Sequence, residues 1–223
     1  MTRSARSPGS GLLVLTTGLL LILAQVVMWP FDTRDYVATT QSVVFQLGGV
    51  VYFVAFCLLL LSLIASYRWE ADEAGRLGVV AAVVAAVGTM ALGGDLWFET
   101  FAVPWIADRA PAAFDTEPTT LLALGAISSY LLFSLGWILV GIASLRARVF
   151  PRAISAAIVV GGLAGWSALL SPFGIPLGLA MASLGVWMMR TAPAVRTGGG
   201  TRQDQARATA RVDHGLGGGS GLD

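Results

Sequence analysis

Lysine is absent from this 223-residue chain; all fourteen of its basic residues are arginine. That excludes Schiff-base chemistry and a phosphate-binding loop, both of which need the lysine amine. Histidine and cysteine occur once each, His214 in a Gly-rich tail and Cys57 in the middle of a hydrophobic segment. Zinc, haem and iron–sulfur sites therefore lack ligands, a Ser-His-Asp or Cys-His arrangement cannot form within an apolar segment, and no cofactor or metal is expected. A single cysteine makes no internal disulfide, and Cys57 reads as an apolar packing residue. Charge is also scarce, at 12% of residues against roughly 25% in soluble proteins. The net charge of +1 provides no basic stripe for nucleic acid.

What remains is apolar: 56% of residues are hydrophobic, gathered into uncharged stretches at 7–31, 36–67, 77–94, 118–145 and 153–189. About 20 apolar residues cross a bilayer as a helix. The expected fold is an all-α membrane protein with six transmembrane helices in a bundle, near 11–29, 42–67, 77–97, 119–145, 153–170 and 175–189. The stretch 153–189 would reach about 55 Å as one helix, against a core of about 30 Å, and the run Ser171-Pro172-Phe173-Gly174-Ile175-Pro176 divides it. Twelve of the fourteen arginines fall on one side of such an alternation, leaving Arg34 and Arg109 on the other. Arginine accumulates in cytoplasmic loops, so both termini are expected in the cytoplasm of a multi-pass protein of the cell membrane. Residues 1–10 form the cytoplasmic N-terminus and 191–223 a disordered cytoplasmic tail, Gly-rich and without apolar periodicity. The rival reading of 1–30 as a cleaved signal peptide suffers from a long apolar run and the lack of a small-x-small cleavage site.

Ile64-Ala65-Ser66-Tyr67-Arg68 recurs as Ile142-Ala143-Ser144-Leu145-Arg146, and the same offset pairs Tyr52 with Tyr130. After a short deletion Arg76 pairs with Arg152 and Ala81 with Ala157. Spans two and three, and spans four and five, read as duplicated helical hairpins in the same orientation, unlike the inverted repeats of many transporters. Ala157, Gly161 and Gly165 on span five, and Gly174, Gly178 and Ala182 on span six, are helix-packing positions, since small residues four apart let backbones approach. They serve either packing within the chain or contact with another copy or another membrane protein; membrane lipids are the remaining partner. Buried polar groups are few: Gln25, Gln46, Ser128, Ser129, Ser134 and Ser155.

The chemically richest segment runs Gly93-Gly94-Asp95-Leu96-Trp97-Phe98-Glu99-Thr100-Phe101-Ala102-Val103-Pro104-Trp105. Asp95 and Glu99, four apart, stack on one face of a helix, and two like charges in a low dielectric resist ionising together. They are the candidate proton or cation site, with Arg34 and Arg109 as pairing cations from the external loops. Asp95 lies about 28 Å of helix beyond Arg76, near the outer edge of the hydrocarbon. Acids at an interface need no special role; the aromatics around them read as an interfacial belt and Pro104 as a helix stop. Glu70, Asp72 and Glu73 are assigned to the solvated first cytoplasmic loop.

With Gly94-Asp95-Leu96-Trp97-Phe98-Glu99 leading to Val103-Pro104-Trp105, and Leu135-Gly136-Trp137 to Arg146-Ala147-Arg148-Val149-Phe150-Pro151-Arg152, residues 11–190 resemble a group of small multi-pass membrane proteins common in actinobacteria and other GC-rich bacteria. The resemblance implies a bacterial cell membrane and a helical bundle, and assigns no catalytic residue. Absent chemistry points to a non-enzymatic accessory or structural membrane component. The alternative is a small proton- or cation-linked transporter using Asp95 and Glu99; a lipid-directed enzyme using the same acids ranks third, having no nucleophile or metal site beside them.

Overall fold

A computed structural model describes residues 8–29, 36–168 and 172–192. Among the described residues the chain is helical throughout, with no strand. The helices are α1 (Pro8–Met28), α2 (Tyr36–Gln41), α3 (Val43–Trp97), α4 (Val103–Arg109), α5 (Thr120–Ala147), α6 (Arg152–Ala164) and α7 (Ile175–Thr191). Residues 1–7, Arg34 and the tail from 193 onward lie outside the described residues, so the expectations for the N-terminus, that arginine and the disordered tail fall there too.

Among the described residues three helical stretches are long and apolar enough to cross a membrane: Gly9–Met28, Val43–Arg109 and Thr120–Ala147. Their composition is that of a membrane protein. Fewer than half the residues in each apolar window are buried, and large hydrophobics such as Leu19, Leu47, Val83, Met90, Leu131 and Leu163 are exposed. A helix apolar on all sides needs an apolar surround, protein or lipid.

The 67 residues of Val43–Arg109 would extend about 100 Å if straight, but Gly75 folds them back. Its φ of 55° and ψ of −151° lie in a region open in practice to glycine alone. The limbs 43–74 and 76–109 then pack antiparallel. The Phe53 and Phe101 rings meet at 5.9 Å, Gly49 faces Thr100, and Gly78 faces Tyr67. The expected loop at 68–76 thus shrinks to a single residue, with helix on both sides.

Neighbours follow in a closed order: α1 packs on α3 and α7, α3 on α5, α5 on α6, and α6 on α7. Glycines set the closest crossings. A Cβ on Gly136 would come within 2.6 Å of the Ala85 nitrogen, and one on Gly88 would strike the backbone at Leu132 and Phe133. Of the packing positions read from the sequence, Gly161 faces Leu177, Gly165 the Phe133 ring, Gly174 the Gln25 side chain and Gly178 Ile22, while Ala182 lies against Gly18; Ala157 is half-buried against the core. All of these contacts are within the chain. Cys57, by contrast, is exposed: it stands on the outward face of α3, one residue past the buried Phe56, and so does not pack in the core as expected.

Side-chain contacts mark two ends. At one, Trp69 donates to Ser10 at 3.2 Å, the Trp69 and Phe150 rings both meet Trp187, and Glu70 meets Ser144. This gathers the start of α1, the Gly75 turn, the end of α5, the start of α6 and the end of α7. At the other end, Gln25 near the end of α1 bonds Ala168 and Gly174, and α2 and α5 meet the acidic segment.

Candidate functional site

Helix α3 does not stop before Pro104. It passes into a π-turn, Phe98–Ala102, and continues as α4 to Arg109. The cause is Pro104, whose ring crowds the carbonyl of the residue four before it. Widening the preceding turn relieves this, and the Val103 N–H accordingly reaches five residues back to the Phe98 carbonyl. Asp95 precedes the wide turn and Glu99 lies within it.

Both acids are half-buried, and each accepts a hydrogen bond from a different helix. Ser129 of α5, itself 3% exposed, donates to Asp95 Oδ2. Tyr36 of α2 donates to Glu99 Oε2. Burial, and after it the adjacent Glu99, holds the Tyr36 hydroxyl well above its ordinary value, so it stays a neutral donor throughout the physiological range. Tyr130 lies within electrostatic reach of Asp95, Glu99, Tyr36 and Tyr52. Trp97, Phe98, Phe101 and Trp105 point outward, as amphipathic rings do at a membrane interface.

Arg109 does not pair with either acid. It is exposed and bonded to its neighbour Asp108 at 3.3 Å, because α4 carries it nearly three turns beyond Glu99. Arg34 is outside the described residues. Among the described residues the two acids are held by hydroxyls, and Tyr36 is not among the residues singled out from the sequence.

Below the acids, Gln25 is fully buried. Its Nε2 donates to the Ala168 carbonyl at 2.9 Å and its Oε1 accepts from the Gly174 N–H at 3.2 Å, while the Tyr52 hydroxyl donates to the same Ala168 carbonyl. These bonds satisfy backbone groups freed where the chain turns between α6 and α7. Ser134 similarly donates to the Gly162 carbonyl at 2.7 Å, and Gln46 to the Thr40 carbonyl at 3.1 Å. Ser128 is exposed and bonds its own helix at Gly125, whereas the Ser155 hydroxyl is buried without a partner. Among the described residues no group of three or more His, Cys, Asp or Glu could hold a metal ion.

Compared with known proteins, the chain matches no family model, no curated protein and no solved structure.

Proposed function

We propose that this chain is a multi-pass integral protein of a bacterial cytoplasmic membrane, with six crossings and both termini in the cytoplasm. The gathering of Ser10, the Gly75 turn, Ser144, Phe150 and Trp187 at one end supports the alternation, since Arg68, Arg76, Arg146, Arg148, Arg152 and Arg190 flank those residues and basic residues favour the cytoplasmic side. Duplicated hairpins are supported by the backbone: the described residues with positive φ are Gly75 and Arg148, one in each paired turn.

Within that frame the chain is an accessory or structural membrane component without a reaction of its own. One observation carries this reading: Asp95 and Glu99 are each tied by a hydroxyl of another helix, so both have a full use in bracing α2, α3 and α5 together. The test is reconstitution into proteoliposomes loaded with a pH-sensitive dye. Bracing alone predicts that Asp95→Asn and Glu99→Gln lower resistance to denaturation while ion permeability stays at the level of empty vesicles. Proton or cation flux in the wild type that disappears in Asp95→Asn would replace this reading with the transporter.

The transporter reading has its own observation. Two carboxylates one turn apart, both within electrostatic reach of Tyr130, have no ion pair with an arginine among the described residues, and such a pair has a place for a proton or a monovalent cation.

A further inference from the structure

Glu70 is the most deeply buried acid among the described residues, 4% exposed, at the end of the bundle opposite Asp95 and Glu99. Ser144 of α5 donates to its Oε1 at 3.0 Å. Its Oε2 is buried and has no hydrogen-bond partner. Beside it, Leu63, Ser66, Tyr67, Gly78, Ala81 and Val140 line a small cavity of about 10 Å³, which is room for about one water molecule. Of the polar groups around it, Ser66 is committed to the Ser62 and Leu63 carbonyls. On its own helix Arg68, Asp72, Glu73 and Arg76 are exposed, and so are Arg146 in the last turn of α5, Arg148 just after it and Arg152 at the start of α6. A bare carboxylate oxygen among Leu63, Ala81 and Val140 loses its hydration with nothing in exchange, whereas a protonated one needs only an acceptor.

We propose that Glu70 and the adjoining cavity form a proton-binding site, in which the carboxyl holds its proton on Oε2 and donates it to a single water in that cavity while Ser144 donates to Oε1. The proton is exchanged with bulk water on the same face as the Gly75 turn. Burial pushes this carboxyl up to about 7, and the Ser144 bond acts in the opposite direction by favouring the ionised form. The site is separate from Asp95 and Glu99 and does not depend on the role of that pair.

The test is infrared titration of the full chain in nanodiscs, following the carboxyl C=O band from about pH 5 to 9. A band is expected that fades near pH 7, is missing in Glu70→Gln, persists in Asp95→Asn and Glu99→Gln, and fades at higher pH in Ser144→Ala. Transfer to D2O shifts the band if water reaches the proton. A titration unchanged in Glu70→Gln, or a Ser144→Ala midpoint that stays in place or falls, overturns the assignment. If Glu70→Gln does not fold, Ser144→Ala alone decides it, because the direction of its midpoint is fixed by the geometry.

Discussion

Placing a methyl group at Gly136 separates two closely crossed helices, α3 and α5. The new Cβ would lie 2.6 Å from the Ala85 nitrogen and 2.9 Å from the Val84 carbonyl carbon, where ordinary carbon contacts need about 3.5–4.0 Å. These are backbone atoms in mid-helix, so no rotamer change relieves the overlap and α5 must withdraw by about 1 Å. Overpacking of this kind costs about 1–3 kcal/mol. The withdrawal also stretches the bond from Trp137 Nε1 to Thr89 Oγ1, already 3.2 Å long, a loss of about 1 kcal/mol. Against this stands the greater helix propensity of alanine, about 1 kcal/mol, leaving Gly136→Ala destabilised by about 1–3 kcal/mol. Gly88→Ala acts at the same crossing from the other side, and the double variant should cost less than the sum, because one separation relieves both overlaps. Gly94→Ala is the internal control: nothing lies within 4 Å of its added methyl, so it should be neutral or stabilising by up to about 1 kcal/mol. Reversible unfolding in mixed micelles with increasing SDS, followed by tryptophan fluorescence, measures all four. If Gly136→Ala proves as stable as Gly94→Ala, the close crossing of α3 and α5 is wrong.

Gly75→Ala meets no atom within 4 Å yet should cost about 1–3 kcal/mol through backbone strain alone, seen in the same unfolding assay. Gln25→Leu strips the Gly174 N–H of its partner and should cost about 1–3 kcal/mol; Tyr52→Phe should cost less, since the Ala168 carbonyl keeps its bond from Gln25. Arg109→Ala, which loses only an exposed pair with Asp108, should change stability by less than about 0.5 kcal/mol. Because folding raises the Glu70 carboxyl, the folded chain binds that proton more tightly than the unfolded one. Its contribution to stability is therefore complete below the ordinary carboxylate value of 4.5 and lost as pH rises through about 7; Glu70→Gln should remove that slope from unfolding curves taken across the interval.

Hydropathy made the long apolar helices legible, because it depends on a long local run. The limits of the acidic segment were less legible. The sequence marked Pro104 as a stop, but a proline in the first turn of α4, preceded by a widened turn, lets the helix run on. The partners of the acids were out of reach of local reading, since Tyr36 and Ser129 stand 63 and 34 residues away from Glu99 and Asp95. Although its side chain is buried, the run of charges from Arg68 to Arg76 places Glu70 in the first cytoplasmic loop. A signal against that was present: Tyr52, Ala55, Phe56, Leu59, Ser62, Leu63 and Ser66 form a buried stripe at helical spacing, and Glu70 continues it by one further turn, past the point where hydrophobicity fails.

The seam between α1 and α7 sets an order of events during synthesis. Gly11 and Gly18 on α1 are faced by Met189 and Ala182 on α7, so α1 cannot complete its packing until the residues between it and the end of α7 have been synthesised. At about 5–20 residues per second, that wait is roughly 10–30 s, during which the small-residue face of α1 is covered by lipid or by a helper protein. A chain halted before residue 175 would be left with that face permanently open.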